Sequence, residues 1–149
     1  MESNEMILEF DSKSENVSFA RLVVAAFVSQ LDLTIEEIAD IKTAVSEAVT
    51  NCIIHGYEEG PGRITLKCAV TDGCFTVEII DKGVGIVDID RAREPLYTTK
   101  PNMERSGMGF AFMEAFMDEV FVESKVGEGT TVKMIRKMSR RAKAGIKIS

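Results

Sequence analysis

Residues 64–81 read ITLKCAVTDGCFTVEIID, and this stretch decides the fold. Apolar and polar side chains alternate on both sides of Asp72-Gly73, which is the pattern of two strands that are each buried on one face. An Asp-Gly pair between two such strands is a strong signal for a tight hairpin turn. The sequence therefore predicts an antiparallel hairpin whose second strand runs into Asp81.

Two helices are predicted upstream of the hairpin, each opened by a capping box. Ser12 and Glu15 have capping-box spacing before the first helical pattern, and Thr34 and Glu37 have it before the second. The second helix carries apolar residues at helical spacing and is predicted to continue to about His55. The first helix is apolar on more than one side, so we expect that it is either centrally buried or offers a second face to a partner.

The remaining elements complete one domain. A strand is predicted at residues 6–10, a helix at residues 107–117, and two strands at residues 120–123 and 131–135. The order of elements predicts a single α+β domain over residues 1–149, with a basic tail from about residue 137. We expect an α/β sandwich with a mixed, mostly antiparallel sheet and helices on one face.

Composition and charge argue against several classes of protein. The 149 residues are 45% hydrophobic, which suffices for one core, and their formal net charge of −6 disfavours general nucleic-acid binding. Three cysteines and one histidine fit neither a disulfide framework nor a structural zinc site. The amino terminus lacks the pattern of a signal peptide, and no apolar run approaches the length of about 20 residues that spans a bilayer. We therefore expect a cytoplasmic protein that contacts neither nucleic acid nor membrane directly.

A polar stripe is predicted near the end of the second helix, in residues 47–55, EAVTNCIIH. At 100° per residue, Glu47, Asn51 and His55 fall within about 80° of one another and flank the apolar stripe. A carboxylate, an amide and an imidazole in this position are suited to line a cleft. A solvated helix edge remains an alternative interpretation, because Glu and Asn are common there.

Two glycine motifs follow the stripe. In DKGVG, Asp81 ends a strand, and Gly83 and Gly85 allow a backbone to approach a flat ligand. The Asp81 carboxylate can then accept a hydrogen bond from an amine of that ligand. In SGMGF, residues 106–110, two glycines stand where a helix begins, and free backbone N–H groups there attract phosphate. Taken singly, an Asp-capped turn and an ordinary glycine-rich helix start explain these motifs equally well.

Together, in this order and spacing, the three motifs resemble the ATP-binding family that joins histidine kinases, DNA gyrase and other type II topoisomerases, Hsp90 and mismatch-repair ATPases. The resemblance covers nearly the whole chain and implies the histidine-kinase-like ATPase fold. It implies that Asn51 holds Mg²⁺ on the phosphates of ATP or ADP, that Asp81 binds the adenine amine beside Gly83 and Gly85, and that Thr130 supports Asp81. The other nucleotide-binding candidates are His55, Thr98, Thr99, Lys100, Ser106, Gly107, Met108, Gly109 and Phe110.

The length of the chain and its histidine content distinguish the subfamilies of this ATP-binding family. Chaperones, topoisomerases and repair ATPases need further domains. A sensor histidine kinase needs a phosphoacceptor histidine on a preceding helix. Residues 95–110, PLYTTKPNMERSGMGF, resemble the stand-alone serine-kinase anti-sigma factors of spore-forming bacteria. The resemblance implies a homodimer that binds and inhibits a sporulation sigma factor and uses Mg-ATP to phosphorylate a serine on an anti-anti-sigma factor.

Glu47, one helical turn before Asn51, is the candidate general base for the serine hydroxyl. Arg105 is the second catalytic candidate, since it can pair with a phosphate oxygen, and Arg21 on the first helix is the candidate partner-binding residue. Two alternatives stay open. One is a binding module that uses ATP without transferring phosphate, and the other is a kinase of a stress-response anti-sigma system or a detached histidine kinase domain.

Overall fold

The computed structural model describes residues 3–94 and 109–137. The described elements, in chain order, are β1 (Asn4–Asp11), α1 (Glu15–Val28), α2 (Ile35–Asn51), a π-turn (Cys52–Gly56), β2 (Arg63–Thr71), β3 (Cys74–Asp81), α3 (Ile89–Ala92), α4 (Gly109–Phe116), β4 (Glu119–Lys125) and β5 (Gly129–Lys137). Within the described ranges, no helix combines the length and the apolar character needed to cross a membrane. The basic tail predicted from about residue 137 lies almost wholly outside the described residues.

The strands form one sheet in the order β1-β2-β3-β5-β4. The predicted hairpin is confirmed: Thr71 pairs with Cys74, and Asp72 and Gly73 have φ values of 49° and 76°, as a tight primed turn requires. Each of the four strand pairings is antiparallel, so the expectation of a mixed sheet is wrong for the described strands. The predicted α+β class, with antiparallel pairing dominant, is confirmed.

The core lies between one face of the sheet and the helices. On β2 and β3 every second side chain is buried, while the alternate positions face away from the helices. Helix α2 contributes five buried residues and packs between α1 and α4. Because β3 lies at the centre of the sheet and points its alternate residues inward, Asp81 at its end faces the helical layer.

The two predicted capping boxes have different outcomes. At α2 the box is confirmed: Glu37 N–H donates to Thr34 Oγ1 at 3.0 Å, and Thr34 N–H donates to Glu37 Oε1 at 2.9 Å. At α1 the prediction is wrong, because the helix begins after Ser14. Ser12 instead continues the path of β1, with its N–H bonded to the Gly62 carbonyl at 2.9 Å and its buried hydroxyl unpaired among the described residues.

Candidate functional site

The end of α2 is shaped by a π-turn. The α-helix stops at Asn51, and the next turn closes with a wider hydrogen bond, from Tyr57 N–H to the Cys52 carbonyl at 2.8 Å. Glu47 and Asn51 therefore lie one turn apart on one α-helical face. The expectation that the same α-helix carries His55 is wrong, because His55 lies half-buried within the π-turn. Such turns occur frequently at functional sites.

The first residue of α4 meets the polar stripe of α2. A methyl group on Gly109 would lie 3.3 Å from both Asn51 side-chain atoms, Oδ1 and Nδ2, and 3.5 Å from Glu47 Oε1. Gly109 is buried, and the first turn of a helix has backbone N–H groups without intrahelical partners. The fold thus brings Glu47, Asn51 and a helix N-terminus together, although the three are remote in sequence.

Asp81 lies at the other end of the site and is only 5% exposed. Burial raises the pKa of its carboxyl above the ordinary value, while hydrogen bonds from the N–H groups of Gly83 and Thr130 and from the Cys52 thiol lower it. Gly83 N–H donates to Oδ1 at 2.9 Å. Since a carboxylate offers about four acceptor positions, the bond from Gly83 leaves capacity for further donors.

The glycines around Asp81 are required by close packing within the protein. A methyl group on Gly83 would lie 1.9 Å from the Gly56 carbonyl oxygen, and one on Gly85, where φ is +81°, would lie 2.4 Å from the Lys125 carbonyl oxygen. A methyl group on Gly56 would lie 2.9 Å from Asp81 Cγ. The two motif glycines therefore hold the loop after β3 against the π-turn on one side and the end of β4 on the other.

Thr130 supports this loop through a residue that the sequence analysis missed, Ser124. Thr130 is buried and stands opposite Asp81 in the pairing of β3 with β5. Its hydroxyl lies 2.7 Å from the Ser124 hydroxyl, which also accepts a hydrogen bond from Ile86 N–H at 2.7 Å. The available sequence signal was the alternation of β4, which places Ser124 on the inward face after Val120 and Val122.

Two more residues of the site were missed, Cys52 and Tyr57. The sequence pattern assigned Cys52 to the apolar stripe of α2, and the structure buries it as the first residue of the π-turn. Burial, and secondarily the charge of Asp81, raises the pKa of the Cys52 thiol far above its usual range, so it keeps its proton. The Tyr57 hydroxyl accepts from Lys82 N–H at 2.7 Å and donates to the Arg63 carbonyl at 2.6 Å.

The remaining candidate residues divide into two groups. Phe110 is buried in the core at the first turn of α4, and Arg21 is exposed on α1. The candidates that lie outside the described residues, and whose roles stay predictions, are Thr98, Thr99, Lys100, Arg105, Ser106, Gly107 and Met108.

Comparison with solved structures agrees with this architecture. The RsbU and RsbW domains of Rv1364c from Mycobacterium tuberculosis superpose with a TM-score of 0.66 at 22% identity, over 92% of this chain and 33% of that chain. The catalytic domain of the histidine kinase ThkA superposes with a TM-score of 0.55 at 16% identity, over 92% of this chain and 96% of that one. At these identities the likeness shows the fold, and it confirms the predicted histidine-kinase-like ATPase fold.

Sequence comparison identifies the family. Residues 10–136 match the model of the histidine kinase-like ATPase domain. The anti-sigma F factor of Thermoanaerobacter sp. strain X514 is 61% identical over 134 residues, which are 90% of this chain and 94% of that protein. The anti-sigma F factor of Clostridium acetobutylicum is 55% identical over 139 residues, 93% of this chain and 97% of that protein. The chain therefore belongs to the histidine kinase-like ATPase family and, within it, to the anti-sigma F factors.

Proposed function

We propose that this protein binds and inhibits a sporulation sigma factor and uses Mg-ATP to phosphorylate a serine on an anti-anti-sigma factor. The proposal rests on one observation: the side chains of Glu47 and Asn51 converge on Gly109 at the start of α4, at 3.5 Å and 3.3 Å from a methyl group built there. The names of relatives that are 55–61% identical over most of the chain support a sigma factor as the partner.

ATP binds between Asp81 and the start of α4. The Asp81 carboxylate accepts a hydrogen bond from the exocyclic amine of adenine, and backbone N–H groups at the start of α4 donate to phosphate oxygens. The backbone of Gly83 and Gly85 borders the base. The support for this assignment is that Asp81 is buried and that its carboxylate, which accepts from Gly83 N–H, can accept further donors.

Asn51 holds Mg²⁺ in this proposal. Mg²⁺ prefers oxygen ligands and usually takes one or two from the protein and others from phosphates and water. The amide oxygen of Asn51, which faces the start of α4, fits that preference. Among the described residues, no three His, Cys, Asp or Glu side chains are grouped as a metal site. The cation neutralises charge on the phosphates when it is bound.

Glu47 acts as the general base. The serine oxygen forms a bond to the γ-phosphorus, the bond from that phosphorus to the bridging oxygen of ADP breaks, and the hydroxyl proton passes to the Glu47 carboxylate. The transition state of phosphoryl transfer is loose, so positioning supplies most of the acceleration. A positioned base adds about 10²–10⁴-fold. Arg105 is the second proposed catalytic residue, as a phosphate-oxygen partner.

The protein acts in the cytoplasm as a homodimer that presents α1 to its partners. Strand β1 is one edge of the described sheet, and the adjoining helix α1 exposes Phe19 to 47% and Leu22 to 69%. Arg21, exposed beside Leu22, supplies a charged contact next to this apolar surface. Sedimentation at micromolar concentration tests the dimer, and a monomer throughout the range would contradict it.

Labelled ATP, Mg²⁺ and a candidate antagonist protein test the proposed activity together. We expect label on a serine of the antagonist. Phosphohistidine would favour a detached histidine kinase domain, and binding of ATP without any transfer would favour a nucleotide-gated binding module. Asp81→Asn is the control, because this variant should lose nucleotide binding itself. Its behaviour distinguishes a loss of nucleotide binding from a loss of phosphoryl transfer.

A further inference from the structure

Helices α2 and α4 pack against each other and run in opposite directions. Gly109, the first residue of α4, faces Glu47 and Asn51 near the end of α2. The last residue of α4, Phe116, lies at the other end of the pair, where its carbonyl accepts a hydrogen bond from the guanidinium of Arg136 on β5. Arg136 therefore holds α4 at the end that is remote from the proposed phosphate site.

The same guanidinium reaches the start of α2. Its Nη2 lies 3.8 Å from Glu37 Oε2, and its Nη1 lies 3.8 Å from Asp40 Oδ2. Because the Arg136 side chain is only 19% exposed, solvent screens these attractions less than those of a surface pair. The positive charge also suits the carboxyl end of α4, which carries a partial negative charge. Arg136 thus links the end of α4 to the start of α2.

We propose that Arg136 is a positioning residue, which fixes the position of α4 along α2 and so places the phosphate-binding start of α4 beside Glu47 and Asn51. The inference rests on the proposed nucleotide site. The eight residues of α4 span about 12 Å, so it assigns a part in nucleotide binding to a residue that does not touch the nucleotide.

The start of α4 has little room to move. A methyl group on Gly109 would lie 3.3 Å from both Oδ1 and Nδ2 of Asn51, so the helix start and this side chain are already close. A helix of two turns moves as one element, and a displacement at Phe116 therefore displaces Gly109 as well. Because hydrogen bonds weaken steeply when they are misaligned, a small displacement reduces what the backbone N–H groups give to a phosphate.

The other contacts of α4 restrain it in different directions. Its buried apolar side chains pack into the core, and apolar contact is non-directional, so it opposes sliding only weakly. Arg93 donates to Glu114 Oε2 at 3.1 Å and to the Val120 carbonyl at 3.0 Å, which joins α4 to β4. Arg136 joins α4 to α2, the helix that carries the polar stripe.

Affinities for Mg-ATP and for adenosine test the role, because adenosine has the base and lacks the phosphates. We expect Arg136→Met to weaken Mg-ATP binding about three- to tenfold and adenosine binding less than about twofold, since the Asp81 end of the site does not depend on α4. Arg63→Met, which breaks an exposed pair with Asp11, is the matched control and should change either affinity less than about twofold. Calorimetry measures Mg-ATP binding, and displacement of Mg-ATP measures adenosine binding.

The amide resonance of Gly109 in the nucleotide-free protein reports the position of α4 directly. We expect this resonance to shift in Arg136→Met, and to shift less but in the same direction in Asp40→Asn. Asp40→Asn is the milder change, since it keeps the shape of the side chain and leaves the bond to the Phe116 carbonyl in place, so the test stands even if Arg136→Met folds poorly. Asp11→Asn makes the same substitution in the exposed pair and should leave the resonance unchanged.

The outcomes separate this inference from the proposed function. A wild type that binds Mg-ATP no more tightly than adenosine would overturn both the phosphate site at α4 and the positioning role. A wild type with that preference, kept unchanged in Arg136→Met, would overturn the positioning role alone. An equal loss of the preference in Arg63→Met would also overturn it, because the effect would then be one of general stability. So would a Gly109 resonance that stays in place in both Arg136→Met and Asp40→Asn.

Discussion

Gly83 lies so close to Gly56 that a methyl group on its α carbon would sit 1.9 Å from the Gly56 carbonyl oxygen. Val84 N–H donates to the same carbonyl at 2.9 Å. This backbone contact joins the loop after Asp81 to the π-turn that extends α2. The carboxylate of Asp81 and the polar stripe of α2 are therefore held in a defined relationship by backbone atoms.

We expect Gly83→Ala to lower the free energy of unfolding by about 2 kcal/mol or more, because the opposing atom is backbone and the loop itself must shift. The shift moves Asp81, so ATP affinity should fall at least about tenfold, equivalent to about 1.4 kcal/mol. Gly127→Ala is the control, since φ there is +82° but a methyl group meets nothing within 4 Å. It should cost about 1–2 kcal/mol of stability and leave ATP affinity unchanged. Urea unfolding measures the stability of the two variants, and calorimetry measures their ATP affinity. Equal losses of ATP affinity in Gly83→Ala and Gly127→Ala would contradict the prediction.

Replacing Asn51 by Ala should weaken Mg-ATP binding at least about tenfold, because the remaining groups do not replace an oxygen ligand to a hard cation. The affinity for ATP in the presence of a chelator should change much less. Calorimetry with and without Mg²⁺ measures the difference. If Asn51→Ala binds Mg-ATP as the wild type does, Asn51 is not the magnesium ligand.

Replacing Glu47 by Gln should reduce phosphoryl transfer about 10²–10⁴-fold while ATP affinity stays within about twofold, since a base acts mainly in the transition state. Glu36→Gln is the matched control: it makes the same substitution at an exposed position in the first turn of the same helix. Single-turnover transfer of labelled phosphate gives the rates. A normal rate for Glu47→Gln would remove Glu47 from the role of base.

The raised pKa of the Asp81 carboxyl predicts a specific dependence of the free energy of unfolding on pH. Burial raises the pKa of its carboxyl above the ordinary value of 3.8, so the folded protein binds this proton more tightly than the unfolded chain does. The stability contributed by this group is therefore fully present below 3.8 and is lost as pH rises through the raised pKa. The unfolding free energy of the wild type, relative to Asp81→Asn, should fall from about pH 3.8 upward and level off above the folded pKa. Urea unfolding at a series of pH values measures it, and a rise would show that the pKa is lowered instead.

Arg136 should contribute to stability at the end of α2 that is remote from the site. Its guanidinium, 19% exposed, lies 3.8 Å from carboxylate oxygens of Glu37 and Asp40 and donates to the Phe116 carbonyl. Arg136→Met removes the positive charge beside the two carboxylates and the donor to the Phe116 carbonyl, and it should cost about 1–3 kcal/mol. Arg63→Met, which breaks a well-exposed pair with Asp11, is the control and should cost less than about 1 kcal/mol. Equal unfolding free energies for the two variants would contradict the expectation that the more buried Arg136 contributes more to stability than Arg63.

Much of the fold could be predicted because its signals are local. The alternation on both sides of Asp72-Gly73 determines which faces of β2 and β3 are buried, and the Thr34–Glu37 capping box requires residues three apart. Such patterns follow from the periods of strand and helix, which every short segment expresses by itself. The sequence also determined that Asp81 ends a strand beside glycines.

Tertiary packing decided the details that complete the site. No local pattern in the sequence predicts the change from α-helix to π-turn after Asn51. The π-turn accommodates a tertiary contact, the approach of Gly83 to the Gly56 carbonyl. Gly56 meets the carboxylate of Asp81 only because the π-turn packs against the end of β3. Ser124 reaches Thr130 across a strand pair. The sequence by itself determined the elements and their buried faces, whereas contacts between residues far apart along the chain depend on how those elements pack, and only the tertiary structure decided them.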